Sequence, residues 1–163
     1  MATKKETYLD WLRDAHAMEE TLVKVLEKQV EEVPADMGAA KQKIEEHLEA
    51  TRGHAEKVAA CLERNGGSVS DAKDLFGKLN AGIQGLGMSM MSDKLVKNVH
   101  TSYAAEHFEI ATYSIIKAAA EEVGDVEGAD MCDAIIADEE DMADWLLDQL
   151  PVVSSDYIAS LES

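Results

Sequence analysis

The sequence predicts an all-α fold: a four-helix bundle of two antiparallel helical hairpins joined by a long crossover, with short extra helices. Three observations carry this. Apolar residues recur at helical spacing along four long stretches, each closed by a proline or a glycine. The chain has only two prolines and is rich in alanine, leucine, glutamate and lysine, all good helix formers. The connections are unequal: two are short, and one takes up residues 68–92.

The first helix, α1, is expected over residues 7–33, where Pro34 stops it. Its apolar stripe is Tyr8, Leu12, Ala15, Leu22, Val23, Leu26 and Val30. The second, α2, is expected to start near Asp36, a plausible N-cap, and to end at Asn65-Gly66-Gly67. Its stripe holds Ile44, Ala50, Val58, Cys61 and Leu62. Residues 68–92 contain four glycines and an amphipathic stretch, 71–79, that reads as a short helix. The third helix, α3, is expected over 92–123 before Gly124, with Leu95, Val99, Ile110 and Tyr113 inward. The fourth, α4, is expected over 126–150 and to stop at Pro151, followed by a short helix over 155–161. Two short-looped hairpins and one long crossover make up the ferritin-like connectivity, and an up-down-up-down bundle with a decorated loop is the other option.

At 163 residues a single domain over 1–163 is expected. No apolar run approaches the ~20 residues needed to span a bilayer, and the opening MATKKETYLDWLRDAH has no apolar signal-peptide core, so a cytoplasmic location is expected. Cys61 and Cys132 both fall on apolar helix faces and read as buried thiols rather than a disulfide framework. The formal charge of −18 argues against nucleic acid and anionic membranes as partners and is compatible with attracting cations. A solvated acidic surface accounts for most of the 33 acidic residues without any function.

Some acids, however, fall on the inside. Glu139 lies on the apolar side of its helix with Ile135, Ile136, Met142, Ala143 and Leu146, whereas Glu140 and Asp144 point away. An ionised carboxylate buried without a partner costs several kcal/mol. Glu19 sits at the centre of the α1 stripe, with His16 one turn before it. On α2, His47, Thr51 and His54 form one inward line, and on α3 Glu106 is central with Glu109 three residues on. Heights agree as well: residues 19 and 51 are equidistant from residue 35, and residues 109 and 139 from Gly124. Taken singly, an inward Glu often snorkels and an inward His is usually a hydrogen-bonded core residue. Together, Glu19, His47, His54, Glu106, Glu109 and Glu139 need a counterion. A dinuclear metal centre supplies that charge, and carboxylate and imidazole donors suit iron, manganese or zinc.

The segments YLDWLRDAHAMEETL, EEHLEATRGHAEKV, AAEHFEIATYSII and ADEEDMADWL resemble the YciE/YciF-type ferritin-like proteins, nearest the YciE branch, over Tyr8 to Leu150. The helix α4 motif is also similar to that of bacterioferritin. The resemblance implies a di-iron-type four-helix domain, associated with bacterial stress responses and without an established reaction, and it suggests a homodimer. Position by position it implies Glu19, His54 and Glu139 as metal ligands, and Glu106 with Glu109 as a rubrerythrin-like Glu-x-x-Glu. Three positions depart from the pattern. Thr51 stands where ferritins have Glu, Met142 where the α4 motif has His, and Ala50 where family members often have Glu. His47 is the candidate stand-in. A weakened site, a single-ion site or a proton-sharing carboxylate cluster with a strongly raised pKa all fit these departures.

Two function classes follow. The first is a metal-binding protein with oxidase or peroxide-consuming chemistry, with Tyr103 and Tyr113 as nearby redox candidates or simply as core tyrosines. The second is a non-enzymatic bundle, a scaffold or dimer with a degenerate polar core, for which the methionines 88, 90 and 91 offer an adaptable contact surface. A phosphotransfer role for His54, suggested by the H-x-x-K spacing to Lys57, requires an exposed imidazole.

Overall fold

The computed structural model describes residues 1–69 and 93–161. Four long helices account for nearly all of them: α1 Lys4–Glu32, α2 Gly38–Arg64, α3 Lys94–Val123 and α4 Val126–Ser160. The expected short helix over 71–79 and the methionines 88, 90 and 91 lie outside the described residues.

Cross-helix contacts fix the topology. Lys4 pairs with Glu122 at one end, and Lys94 pairs with Glu32 at the other, so α1 and α3 are antiparallel. Arg64 pairs with Glu127 and His54 with Asp138, so α2 and α4 are antiparallel too. Helices α2 and α3 therefore run in the same direction, and α2 ends at the opposite end of the bundle from where α3 begins. That is the chain path of two hairpins joined by one long crossover.

The helix boundaries depart from expectation where local chemistry was misread. Helix α1 begins at Lys4, because Thr3-Lys4-Lys5-Glu6 is a capping box. The Glu6 amide donates to Thr3 Oγ1 at 3.1 Å and the Thr3 amide to Glu6 Oε2 at 2.7 Å. Helix α2 starts at Gly38 rather than near Asp36, since the Met37 amide closes a turn on the Pro34 carbonyl. Helix α4 does not stop at Pro151: it continues to Ser160 and absorbs the expected terminal helix. Proline removes one backbone donor, but its fixed φ is helical, and burial of Val153 two residues on favours continuation. On α3 the buried line is Glu106, Glu109, Tyr113, Ile116 and Ala120, while Leu95 is exposed and Val99 and Ile110 are half-buried.

The apolar core fills the half of the bundle nearest the α3–α4 turn. Tyr8, Leu12 and Ala15 pack there with Val58, Leu62, Ile116 and Ile135, all but fully buried. Both cysteines belong to it and are free thiols, and burial pushes Cys132 up to about 12. Asp125 bolts this end together. Gly124 turns the chain at φ 76°, and the Asp125 amide bonds back to the Ala120 carbonyl at 2.9 Å. The Asp125 carboxylate then caps α4 through the Gly128 amide at 3.1 Å and accepts from Tyr8 Oη (2.9 Å), Asn65 Nδ2 (2.6 Å) and Arg64 (2.8 Å). Burial alone would raise its pKa, but the bonds from Asn65, Gly128, Tyr8 and Arg64 outweigh it and hold Asp125 at about 2.

Gly128 allows that convergence. A Cβ there would collide with Tyr8 Oη and lie 2.6 Å from Asp125 Oδ2. Gly128→Ala is therefore expected to destabilise the protein by ~1–3 kcal/mol in urea unfolding, despite alanine's better helix propensity. Unchanged or raised stability would contradict this role for the glycine.

Candidate metal centre

Just beyond this core, each of the four helices turns a polar side chain inward. Glu19 comes from α1, His47 and His54 from α2, Glu106 and Glu109 from α3, and Glu139 from α4. All six are buried, with Glu19, His54 and Glu139 fully so. Helical spacing explains the placement, since each lies on the buried stripe of its helix, among apolar residues.

The groups meet in two triads of mutually close ligand atoms, Glu19–His54–Glu139 and His47–Glu106–Glu139. Glu139 belongs to both. Its Oε1 lies 2.9 Å from His54 Nδ1, and its Oε2 lies 3.6 Å from His47 Nε2, which is 3.3 Å from Glu106 Oε2. Glu109 is buried close enough for the charges of Glu139, Glu19 and Glu106 to act on it.

Two further contacts orient the cluster. His54 Nε2 is 2.9 Å from Asp138 Oδ2 in hydrogen-bond geometry; a carboxylate accepts, so Nε2 donates there, and Nδ1 is turned toward Glu19 and Glu139. Tyr113, fully buried, donates its hydroxyl to Glu19 Oε1, leaving Oε2 free to face the interior. Sequence reasoning did not single out Asp138. It is half-exposed on the flank of α4, and only its place beside Glu139 hinted at a role. Asp138→Ala should weaken divalent-metal affinity ~10–100-fold by calorimetry, and an unaltered affinity would show that the imidazole needs no such support.

The electrostatics show what the cluster lacks. Four carboxylates and two imidazoles share the interior; the ion pairs of their carboxylates among the described residues are with His47 and His54, and the lysine charge that acts on them is that of Lys43 on His47. Six of the seven buried polar atoms that make no hydrogen bond there belong to this cluster: Glu19 Oε2, His54 Nδ1, Glu106 Oε2, Glu109 Oε1 and both oxygens of Glu139. Burial raises Glu19 to about 8, against the pull of the Tyr113 hydrogen bond, and raises Glu106 to about 7. Burial and then the neighbouring carboxylates push Glu109 well up, and burial raises Glu139 as well. His47 is lowered by burial. For His54 burial acts downward, but Glu139 and Asp138 outweigh it and the net shift is upward. Unsatisfied oxygen and nitrogen donors around a surplus of negative charge fit divalent cations.

The other expected positions sort clearly. Thr51 is buried, but its hydroxyl donates to the His47 carbonyl at 2.9 Å. Met142 is buried and Ala50 half-buried. Tyr103 does not join Tyr113; it is half-buried and packs edge-on against His107, with ring centroids 4.6 Å apart. His16 is half-buried and is in neither triad. Full burial of His54 denies it the exposure a phosphotransfer histidine needs.

Fold and interior together define a class: an all-α four-helix bundle whose centre is lined with carboxylates and imidazoles. Within it, the chain belongs to the family described as "Domain of unknown function (DUF892)", which matches residues 3–159. A solved protein of Xanthomonas campestris pv. campestris is 30% identical, with a TM-score of 0.83 over 99% of this chain and 100% of its own. The Escherichia coli stress protein YciF has the same fold at 20% identity, with a TM-score of 0.78 over 95% of this chain and 99% of its own. YcfI of Rhodopseudomonas palustris superposes with a TM-score of 0.68 at 23% identity, covering 90% and 94%. No described helix is long and apolar enough to cross a membrane.

Proposed function

We propose that this protein is a ferritin-like metal-binding protein that holds a dinuclear iron or manganese centre between its helices and consumes peroxide or dioxygen there. The observation that carries the reading is Glu139, whose two oxygens face two different histidines, each backed by a further carboxylate. A carboxylate so placed would serve as a ligand to an ion in each triad. In this reading Glu19 and His54 would hold one ion, Glu106 and His47 the other, and Glu109 would supply a further oxygen. Two divalent ions balance four carboxylates.

When bound, such a centre supplies redox equivalents and coordination positions for an oxygen species. The chain's own residues do the rest. Tyr113 holds a proton at Glu19 Oε1, Asp138 fixes the His54 tautomer, and the apolar layer of Tyr8, Leu12 and Ile135 keeps water from one side. A cytoplasmic, stress-linked role and a homodimer accompany the proposal; the E. coli neighbour is described as a stress protein.

Iron-loaded protein is expected to consume hydrogen peroxide faster than free iron(II) at equal concentration, and Glu106→Gln to abolish the excess. Equal rates would remove the oxidative part of the proposal. The second reading, a scaffold with a degenerate site, draws on Thr51 and Met142, whose side chains are committed elsewhere. It predicts a protein that folds without retaining metal.

A further inference from the structure

Helices α1, α2 and α4 turn mostly charged residues to solvent, and α3 does not. Between Ala104 and Ala118 its exposed positions carry no Asp, Glu, Lys or Arg, whereas the solvent side of α4 carries Asp130, Asp133, Glu140, Asp141 and Asp144. In their place α3 exposes Ala104, Phe108, Ala111, Ile115 and Ala118, with Phe108 at 52% and Ile115 at 53%. Across the groove between α1 and α3, Trp11 is 38% exposed and lines the same groove as Phe108 and Ile115. In a chain of formal charge −18, an uncharged flank with two large apolar side chains in the open calls for a partner.

The spacing selects the occupant. These five residues follow one another at intervals of four, three, four and three, the seam of a helix that packs lengthwise on another helix. Small and large side chains alternate along it. Two copies meeting in parallel would set Phe108 on the partner's Phe108 and Ala111 on the partner's Ala111, so that layers are crowded and empty in turn. Antiparallel, about a two-fold axis between residues 109 and 110, Phe108 faces the partner's Ala111 and Ile115 the partner's Ala104. Every large side chain then meets a small one. Charge favours the same direction. The seam continues at the same intervals through Thr101 to Lys97 at the start of α3, and to Glu122 at its end. Antiparallel apposition sets each Lys97 beside the partner's Glu122. Within its own chain Lys97 also pairs with Asp93 and Glu122 with Lys4, so the seam ends in a polar rim around an apolar centre.

We propose that this face of α3 is the surface on which two copies of the chain associate, antiparallel and two-fold symmetric, with Trp11 of each copy flanking the seam. Burial of Phe108, Ile115 and the alanines between them supplies the driving force. On this flank two acidic chains approach without opposing rows of carboxylates. Glu106, Glu109 and Tyr113 leave α3 on its opposite, buried side, so each copy keeps its own candidate centre inside its own bundle. The inference gives a surface to the homodimer proposed above, and it does not depend on bound metal.

Sedimentation equilibrium of the full chain is expected to show a dimer at micromolar concentration, and Phe108→Glu and Ile115→Glu each to weaken self-association at least ~100-fold. Both side chains are exposed, so these variants should keep the wild-type circular dichroism and manganese retention. Cysteine pairs read the register. Ala104→Cys/Ile115→Cys should give a covalent dimer on mild oxidation with diamide, because the antiparallel seam opposes these two positions. Ile115→Cys alone should not, since its two copies are offset by the distance from residue 104 to residue 115, about 16 Å, beyond the reach of a disulfide. Wild-type protein, whose two thiols are buried, is the control. A monomeric wild-type protein overturns the surface and the homodimer together and leaves the metal reading standing. A dimer that survives both glutamate variants overturns the surface alone. Glutamate variants that lose stability while association is unchanged place the face under the chain itself and overturn the proposal. A covalent dimer from Ile115→Cys alone overturns the antiparallel arrangement.

Discussion

Replacing Glu139 with Gln is expected to remove both metal ions at once, with divalent-metal affinity falling at least ~100-fold at each position. Among the described residues, Glu139 is the one residue that the Glu19–His54 and His47–Glu106 pairs share, with one oxygen toward each. Glutamine keeps the shape and one oxygen but loses the charge and the second oxygen donor. Removing both ions therefore does not require disrupting the fold. Glu19→Gln and Glu106→Gln should each cost mainly one ion. Calorimetric titration with manganese(II) separates these cases. If Glu139→Gln still bound two ions with wild-type affinity, the bridging role would be wrong.

The second large effect concerns pH. Glu19, Glu106, Glu109 and Glu139 all have folded pKa values above the ordinary 4.5, with Glu19 at about 8 and Glu106 at about 7. A carboxyl raised in this way binds its proton more tightly in the folded state than in the unfolded chain. Its contribution is fully present below about pH 4.5 and is lost as pH rises through the folded value. Metal-free protein is thus expected to lose several kcal/mol of stability between about pH 5 and pH 8. Bound divalent ions replace the protons, so the metal-loaded protein should lose much less over the same window. Urea unfolding at pH 5 and pH 8, with and without metal, measures the difference. A metal-free protein equally stable at both values would contradict the charge surplus assigned to the core.

Asp125 gives a control of opposite sign. Held at about 2, it contributes stability present above the ordinary carboxylate range and lost as pH falls through about 2. The two trends occupy separate pH windows, so one pH series resolves both.

Periodicity made the centre legible because a buried carboxylate on an apolar stripe breaks the pattern at one residue. Glu19, Glu106 and Glu139 each stand out in this way, and the heights measured from residue 35 and Gly124 matched residue 19 with 51 and Glu109 with Glu139 without any structure. His47 was harder. It lies about two turns from His54, and only the packing of α2 against α3 and α4 brings it to Glu106. Asp138 was illegible because its work is done from the rim, through a hydrogen bond to a neighbouring helix that no spacing rule encodes. Helix ends were misread for local reasons, in the Thr3–Glu6 capping box and at Pro151. There, burial of Val153 two residues on favours continuation over the stop a proline usually signals. Tyr103 and Tyr113 share a helix face by spacing alone, yet only Tyr113 reaches the cluster, because the register of α3 centres on Glu106, Glu109 and Tyr113.

The central claim is that these four helices hold a pair of metal ions. Protein reconstituted anaerobically with iron(II) and then with manganese(II), desalted, and assayed by elemental analysis tests it most directly, with a Glu19→Ala/Glu139→Ala double variant as control. Two ions retained per chain, and none in the double variant, is the predicted result. Retention no greater than that of the double variant would contradict it.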